Sequence, residues 1–466
     1  MRRLMMAAVV CTALFCLMTA NASAAETVNP PVDEVKEKAV DVAHDLDIPP
    51  EILKAIAAHE SNYRQFDDDG TPHTSPDGGI GIMQVTPDNI DMQVDRERLK
   101  TDWKYNINIG AQVLLNKWNL RYLPDINQHE KSVLEDWYFA IMAYNGLAKT
   151  NDPAINSDDT YQQEIYQRIE QASLLYGKNE TYFEFPKFDI RYEHEDETMK
   201  FPAGKHYKTS HKTTSKQQYN AGDVVYIDGK DGYVNIHSGS ITGETTRLWP
   251  YTPLTIDTSD PIESSNPAND FTYYKVKGVQ ADGYVASAYL QLGNENMVFS
   301  DPIDDKRAAA LAYASMNGYI KGYDNGRFGS NEPLKREHVA VILDQILDLD
   351  APDDYDIKAS DADAVKLYRE QLRKAEYQGL LGGGGKLRPN EYFTRAQMAQ
   401  VMNDAFDSYY DEPESMHSFE DQDKLWNPGP VNTMYYNNVT IADPFNPEEN
   451  ITRSQFVLFI YRTMVL

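Results

Sequence analysis

Apolar residues recur at three- and four-residue intervals through the first third of the chain, as in Val35-Ala39-Val42, Ile52-Leu53-Ile56, Ile109-Val113-Leu114 and Phe139-Ala140-Ala143. That period follows one face of an α-helix, so residues 31 to about 177 are predicted to form a helical domain. From 178 to about 218 the period is lost and Lys, His, Thr and Glu dominate, which predicts a linker or a loosely packed extension. Between Tyr219 and Gly293 short β-type runs are broken by Gly and Asp: Val224-Val225-Tyr226-Ile227, Val234-Asn235-Ile236 and Tyr273-Tyr274-Lys275-Val276. Strands of that length and spacing predict a small barrel or sandwich.

The last third repeats itself. Asp301, Asp361 and Asp421 stand 60 residues apart, and Arg336, Arg395 and Arg453 follow at intervals of 59 and 58. Two markers in step across three copies indicate an internal repeat. In copies two and three, Thr394 with Gln397 and Thr452 with Gln455 have the spacing of a capping box, which puts Arg395 and Arg453 in the first turn of a helix. Copy one has Lys335 in place of the Thr and lacks the box. A cation in a first turn opposes the helix dipole. Its recurrence there implies that each Arg meets an anion, and its planar fork suits a carboxylate. That carboxylate is either an external ligand or the repeat's own Asp301, Asp361 or Asp421; spacing leaves both open. The organisation is multidomain: a leader at 1–24, a helical domain at 25–177, a linker at 178–218, a β-module at 219–293, and repeats at 296–350, 354–409 and 413–466.

Charge and targeting narrow the setting. With 72 acidic against 44 basic residues and a net charge of −28, nucleic acid is excluded as the main partner and an anionic membrane surface is disfavoured. Arg2 and Arg3, the apolar run Leu4 to Met18 and Ala22-Ser23-Ala24 make a secretory signal peptide cleaved after Ala24, with an uncleaved signal anchor as the rival. Cleavage removes Cys11 and Cys16, so the mature chain has no disulfide and no thiolate chemistry. No later apolar run is long enough to span a bilayer, so no membrane contact is expected of the mature form. The chain ends at Leu466 without a sorting tail, which predicts non-covalent attachment to any surface. Asp67-Asp68-Asp69-Gly70 lacks the alternating ligands and closing Glu of a calcium loop and is expected to be a solvated turn; no metal and no cofactor are expected.

Glu60 is the first candidate for chemistry. Leu53, Ile56, Ala57 and Glu60 fall on one helical stripe, so the carboxyl is directed toward the core. Desolvation there raises a carboxyl pKa, as a general acid working near neutrality requires. A structural carboxylate near a helix end fits the stripe equally well.

The surrounding blocks favour the first. Glu60-Ser61 is followed by Ser75-Pro76-Asp77-Gly78-Gly79-Ile80-Gly81-Ile82-Met83-Gln84, then by Asn106-Ile107-Asn108-Ile109-Gly110, then by Ala143-Tyr144-Asn145. In order and type these resemble the lytic transglycosylases of the soluble lytic transglycosylase type, which have a lysozyme-like fold. The family pattern has Ala at Gly79 and Leu at Ile82. The resemblance implies that Glu60 is the catalytic acid/base and that Gln84 lines the sugar subsites. It further implies that Tyr144 holds or polarises the carboxyl, with Ser61 and Asn145 supporting the same site. Because the motif supplies one carboxylate where most glycosidases need two, the substrate must provide the second group, either its N-acetyl oxygen or its own 6-hydroxyl. The implied reaction cleaves the bond between N-acetylmuramic acid and N-acetylglucosamine in peptidoglycan, closing a 1,6-anhydro ring through the C6 hydroxyl. Hydrolysis as in goose-type lysozymes, and a non-catalytic wall-binding role, are the alternatives.

Two further resemblances follow. Gly232-Tyr233-Val234-Asn235-Ile236-His237-Ser238-Gly239 and Gly283-Tyr284-Val285 through Tyr289-Leu290 look like the ends of a bacterial SH3-like module, with His237 for Arg and Tyr284 for Trp. Phe299-Ser300-Asp301, Gly322-Tyr323-Asp324-Asn325-Gly326-Arg327-Phe328, Phe419-Glu420-Asp421 and Ile451-Thr452-Arg453 resemble S-layer homology domains. That likeness implies a three-lobed helical assembly binding a pyruvylated secondary cell-wall polysaccharide through Asp301, Arg336, Asp361, Arg395, Asp421 and Arg453. Copies two and three depart from it at Gly382–Gly385 and at Ala442-Asp443-Pro444-Phe445. The expectation is a secreted enzyme, non-covalently attached to the wall or S-layer of a Gram-positive bacterium.

Overall fold

The computed structural model describes residues 28–156, 160–173, 183–193, 197–229, 232–302 and 304–466; the predicted signal peptide lies outside them. In the N-terminal third, α1 (Val32–Leu46) and α2 (Pro50–Ser61) each end on a residue in the left-handed region, Asp47 at φ 57° and Asn62 at φ 51°. Pro50 starts α2, where its missing N–H costs nothing. Every residue of α2 from Pro50 to Ala57 is buried, so only its last turn, with His59 and Glu60, reaches the surface. Around it stand α3 (Arg96–Thr101), α4 (Trp103–Trp118), α5 (Tyr138–Asn145) and α6 (Tyr161–Ala172). Asp102 caps α4 by accepting from the Tyr105 N–H, and Thr160 with Gln163 forms a capping box on α6.

Of residues 178–218, expected to be a linker or a loosely packed extension, those described at 183–193 and 197–217 lie on the helices. Phe185 and Phe188 stack on Tyr138 with ring centroids at 4.2 and 4.9 Å, and Phe201 meets Phe139 at 5.1 Å. The short strands β1 (Asp125–Ile126) and β2 (His206–Tyr207) pair in parallel, and Thr213 hydrogen-bonds Glu135 through its N–H and hydroxyl. An extended strap has neither a helical nor a strand period, so its buried aromatics are invisible to periodicity.

The middle of the chain is β-rich. One antiparallel sheet has the order β10 (Leu290–Leu292), β3 (Val224–Ile227), β6 (Pro253–Ile256), β8 (Thr272–Lys277), β9 (Asp282–Ala286), β4 (Val234–His237), β5 (Thr245–Leu248), with β7 (Ile262–Glu263) pairing β8. Val225, Ile227, Ile236, Ile256, Tyr274, Val276 and Val285 form its core. A Cβ at Gly283 would stand 2.3 Å from the His237 carbonyl, so close approach of β9 to β4 requires glycine there.

Charged groups join this sheet to the helices. The Lys54 ammonium donates to both Glu263 carboxylate oxygens at 2.9 and 3.0 Å, with both side chains fully buried. Lys36 donates to the carbonyls of Ser264, Asn266 and Asn269. Asp270 accepts from the Tyr63 hydroxyl at 2.5 Å and from Arg168 at 2.7 Å.

The last third contains α7 (Asp305–Met316), α8 (Arg336–Leu347), α9 (Arg369–Tyr377), α10 (Arg395–Ala405), α11 (Pro428–Tyr436) and α12 (Arg453–Val465). A closed ring of backbone hydrogen bonds lies at its centre: Leu334 N–H to Ile451 C=O, Ile451 N–H to Phe393 C=O, and Phe393 N–H to Leu334 C=O, at 2.8–2.9 Å. All three side chains are buried. No helix among the described residues is long and apolar enough to cross a membrane.

Candidate functional site

Glu60 sits in the last turn of α2, largely withdrawn from water, and accepts a 2.6 Å hydrogen bond from the Tyr161 hydroxyl. Burial pushes its carboxyl up to about 7; the Tyr161 hydrogen bond pulls it down and the charge of Asp77 adds to the rise. A carboxyl poised there is protonated often enough to donate at neutral pH and ionised easily enough to take a proton back. Tyr161 is the first residue of α6, held by the Thr160 capping box and lying edge-on to His59 at 5.0 Å.

The Met83-Gln84 loop is fastened beside it by residues of the other three sequence blocks. The Ser61 hydroxyl donates to Ile82 C=O at 2.9 Å and the Tyr144 hydroxyl to Met83 C=O at 2.7 Å. Asn106 accepts from Met83 N–H and donates to Ile80 C=O. One turn further along α4, a Cβ at Gly110 would come within 2.4 Å of the Met83 Cβ, so the Asn-x-x-x-Gly pair grips and admits the loop from one helix face. Gln84 adopts φ 43°, donates to Gly81 C=O, and leaves its buried Oε1 without a hydrogen-bond donor among the described residues. A buried acceptor without a donor is uncommon in a folded chain. A Cβ at Gly79 would lie 2.8 Å from that Oε1, so the departure from the family's Ala gives Gln84 its room.

Of the expected site residues, Glu60 and Gln84 are both half-buried. Ser61, 4% exposed, and Tyr144 fasten the loop, and the Tyr144 hydroxyl also feels the charge of Glu60. Asn145 is exposed and accepts from the Asn151 amide. The residue hydrogen-bonded to Glu60 is Tyr161, which the sequence reading missed: the Thr160–Gln163 capping box marks a helix start but carries no sign of a partner 101 residues away.

Residues 41–167 match the Transglycosylase SLT domain. The helical N-terminal domain fits a lysozyme-like SLT domain, and the Glu60 and Met83-Gln84 regions both lie inside the matched stretch.

The C-terminal markers are also placed, though not as internal ion pairs. Asp301 accepts from the N–H groups of Phe328, Gly329 and Ser330, Asp361 from Leu387 and Arg388, and Asp421 from Phe445 and Asn446. Each aspartate therefore closes the turn of its own copy. Each arginine reaches into the next copy: Arg336 Nε donates to Leu387 C=O, Arg395 Nε to Phe445 C=O and Arg453 Nε to Phe328 C=O, at 2.7, 2.7 and 3.0 Å. Among the described residues no arginine pairs with the aspartate of its own copy; Arg336 and Arg395 instead feel the charge of the next copy's Asp361 and Asp421. Copy two forms its turn through the glycines, with Ser360 N–H donating to Gly385 C=O as Ser300 does to Gly326; in copy three the Asp443 carboxylate accepts from Glu420 N–H instead.

Residues 300–340 and 418–457 match the S-layer homology domain. Over 201 residues the chain is 27% identical to the S-layer protein sap of Bacillus anthracis, covering 41% of this chain and 24% of that protein. It is also 27% identical over 202 residues to an S-layer protein of Bacillus thuringiensis subsp. finitimus, with the same coverage, and 26% identical over 155 residues to the Surface-layer 125 kDa protein of Lysinibacillus sphaericus, covering 32% and 13%. The chain spans at most about a quarter of the length of these relatives.

Proposed function

We propose that this is an exported peptidoglycan lytic transglycosylase held at the cell surface by its C-terminal repeats. The observation that carries the enzymatic half is the largely withdrawn Glu60 carboxyl, raised to about 7 and hydrogen-bonded by Tyr161, within an SLT domain. Glu60 gives its proton to the glycosidic oxygen between N-acetylmuramic acid and N-acetylglucosamine. The resulting carboxylate then takes the proton of the C6 hydroxyl as that oxygen closes on C1, leaving a 1,6-anhydromuramyl end. Gln84 supplies a sugar hydroxyl with an acceptor, and Ser61, Asn106 and Tyr144 keep its loop in place. A second reading, hydrolysis, draws on Asp77: it is exposed, and its charge is felt by Glu60, so it could orient a water molecule. Mass spectrometry of digested sacculi separates the two, with anhydromuramyl ends expected from the wild type. Reducing muramic ends would make the enzyme a muramidase, and no product at all would leave a wall-binding protein.

The anchoring half rests on S-layer homology matches and on relatives named as S-layer proteins. Three repeats would present their inter-copy arginines to a wall polysaccharide carrying ketal carboxylates, and the β-domain would serve as an SH3-like spacer or peptide binder. Arg395→Ala combined with Arg453→Ala is expected to weaken retention on purified walls by roughly tenfold or more, the loss of two charge-assisted contacts. Unchanged sedimentation with the walls would remove the arginines from the binding surface.

A further inference from the structure

The three inter-copy grooves are not equivalent. Arg336 and Arg395 are 9% and 7% exposed, and Arg336 is also engaged by the Gln397 carbonyl oxygen at 3.2 Å. Gln397 stands two residues after Arg395, and copy three has Gln455 in the same place; copy one has His338 there. Copy one also has Lys335 where the others have their capping Thr, and no side chain caps α8. The groove between copies three and one therefore differs from the other two. Arg453 is only half-buried there, between the rings of Tyr323 and Phe328 at 5.2 and 5.0 Å. His338 and Lys335, each with 38% of the side chain exposed, lie within electrostatic reach of one another, and His338 also feels Arg453. The two copies that form this groove are the two that match the S-layer homology domain.

We infer that the groove between copies three and one is the principal acid-binding groove, and that His338 makes its grip on a polysaccharide carboxylate proton-dependent. The inference rests on the anchoring reading above and names the groove and its control. The groups facing the imidazole are few. Glu337, itself buried, stands 3.9 Å from Nε2; Lys335 reaches the same carboxylate at 3.8 Å; Arg453 approaches from α12; and the Tyr368 ring lies edge-on at 6.0 Å from the start of α9. Burial holds the imidazole below its ordinary 6.5, with Glu337 opposing and Arg453 and Lys335 adding to the depression. An arriving carboxylate favours the imidazolium, which then joins Lys335 and Arg453 as a third cation. Replacing the capping Thr and Gln by Lys and His exchanges a helix cap for binding charge.

The test is co-sedimentation of the full chain, in a Glu60→Gln background that leaves walls intact, with Bacillus walls carrying their polysaccharide and with walls stripped of it. Wild-type affinity for intact walls is expected to rise roughly three- to fivefold from pH 8 to pH 5.5, the size of one added half-exposed charge pair. His338→Gln, which installs the residue of the other copies, should bind like wild type at pH 8 and lose the rise. Lys335→Thr should weaken binding at both pH values. A His338→Gln variant that keeps the full rise, or an Arg453→Ala variant that binds as well as wild type, overturns the inference while leaving an anchor elsewhere. Equal binding to intact and stripped walls by every variant overturns the anchoring reading, and this inference with it.

Discussion

Glu60→Gln is expected to lower release of soluble muropeptides by roughly 10²- to 10⁴-fold, the range for loss of a positioned proton donor. The same substitution should make the folded protein more stable in mild base. The Glu60 carboxyl is raised from its ordinary 4.5 to about 7, so between those values the folded chain keeps a proton that the unfolded chain has lost. The penalty is absent below 4.5, grows through the window and is fully present above 7. At pH 8 the Glu60→Gln variant escapes it, a gain on the order of 2 kcal/mol after allowance for the partly open side of the carboxyl; at pH 4 the two proteins should melt together. Wild-type kcat/KM should fall above about pH 7 as the acid form disappears. Tyr161→Phe should shift that limb upward, because the hydrogen bond it removes favours the carboxylate. An active Glu60→Gln enzyme, or one less stable than wild type at pH 8, would remove Glu60 from the role of strained acid.

What could be read from the chain alone was local. Helical period placed Glu60 on a core-facing stripe, and capping-box spacing located the starts of α10 and α12, where both boxes form. The Asn106–Gly110 spacing lies on one face of α4 and serves one loop. What could not be read was long-range. Tyr161 meets Glu60 across 101 residues, and each inter-copy arginine crosses to a different repeat. Nothing in the residues flanking Arg336 announces that its partner is Leu387 rather than the aspartate of its own copy. The described residues at 183–193 and 197–217 read as polar because the buried Phe188 and the half-buried Phe185 and Phe201 are scattered along an extended strap. Periodicity reports what repeats along an element and is silent on what one element lays across another.

The buried charges between helices and sheet bear on where a functional fragment can end. A fragment cut at residue 177, where the helical period stops, is expected to melt far below one ending at 293, and to be inactive. The cut removes Glu263 from Lys54, the three carbonyls from Lys36, Asp270 from Tyr63 and Arg168, and Ser215 from Glu51. A buried charge stripped of its partner costs about 3–5 kcal/mol, a large part of the 5–15 kcal/mol by which a domain is stable. Within the intact chain, Asp270→Ala isolates the effect: Arg168 and Tyr63 lose their shared acceptor and Lys36 its nearby carboxylate, 3.6 Å away. A loss of about 3 kcal/mol is expected, with reduced turnover. Turnover suffers because Arg168 belongs to the helix that presents Tyr161, and Tyr63 closely follows the helix that presents Glu60. Thermal unfolding followed by circular dichroism gives the answer. Equal melting temperatures for the two fragments would show that the helical domain stands alone and that the ion pairs only dock it. A lower one for the shorter fragment would mean that the β-domain, whatever else it binds, completes the core on which the acid is mounted.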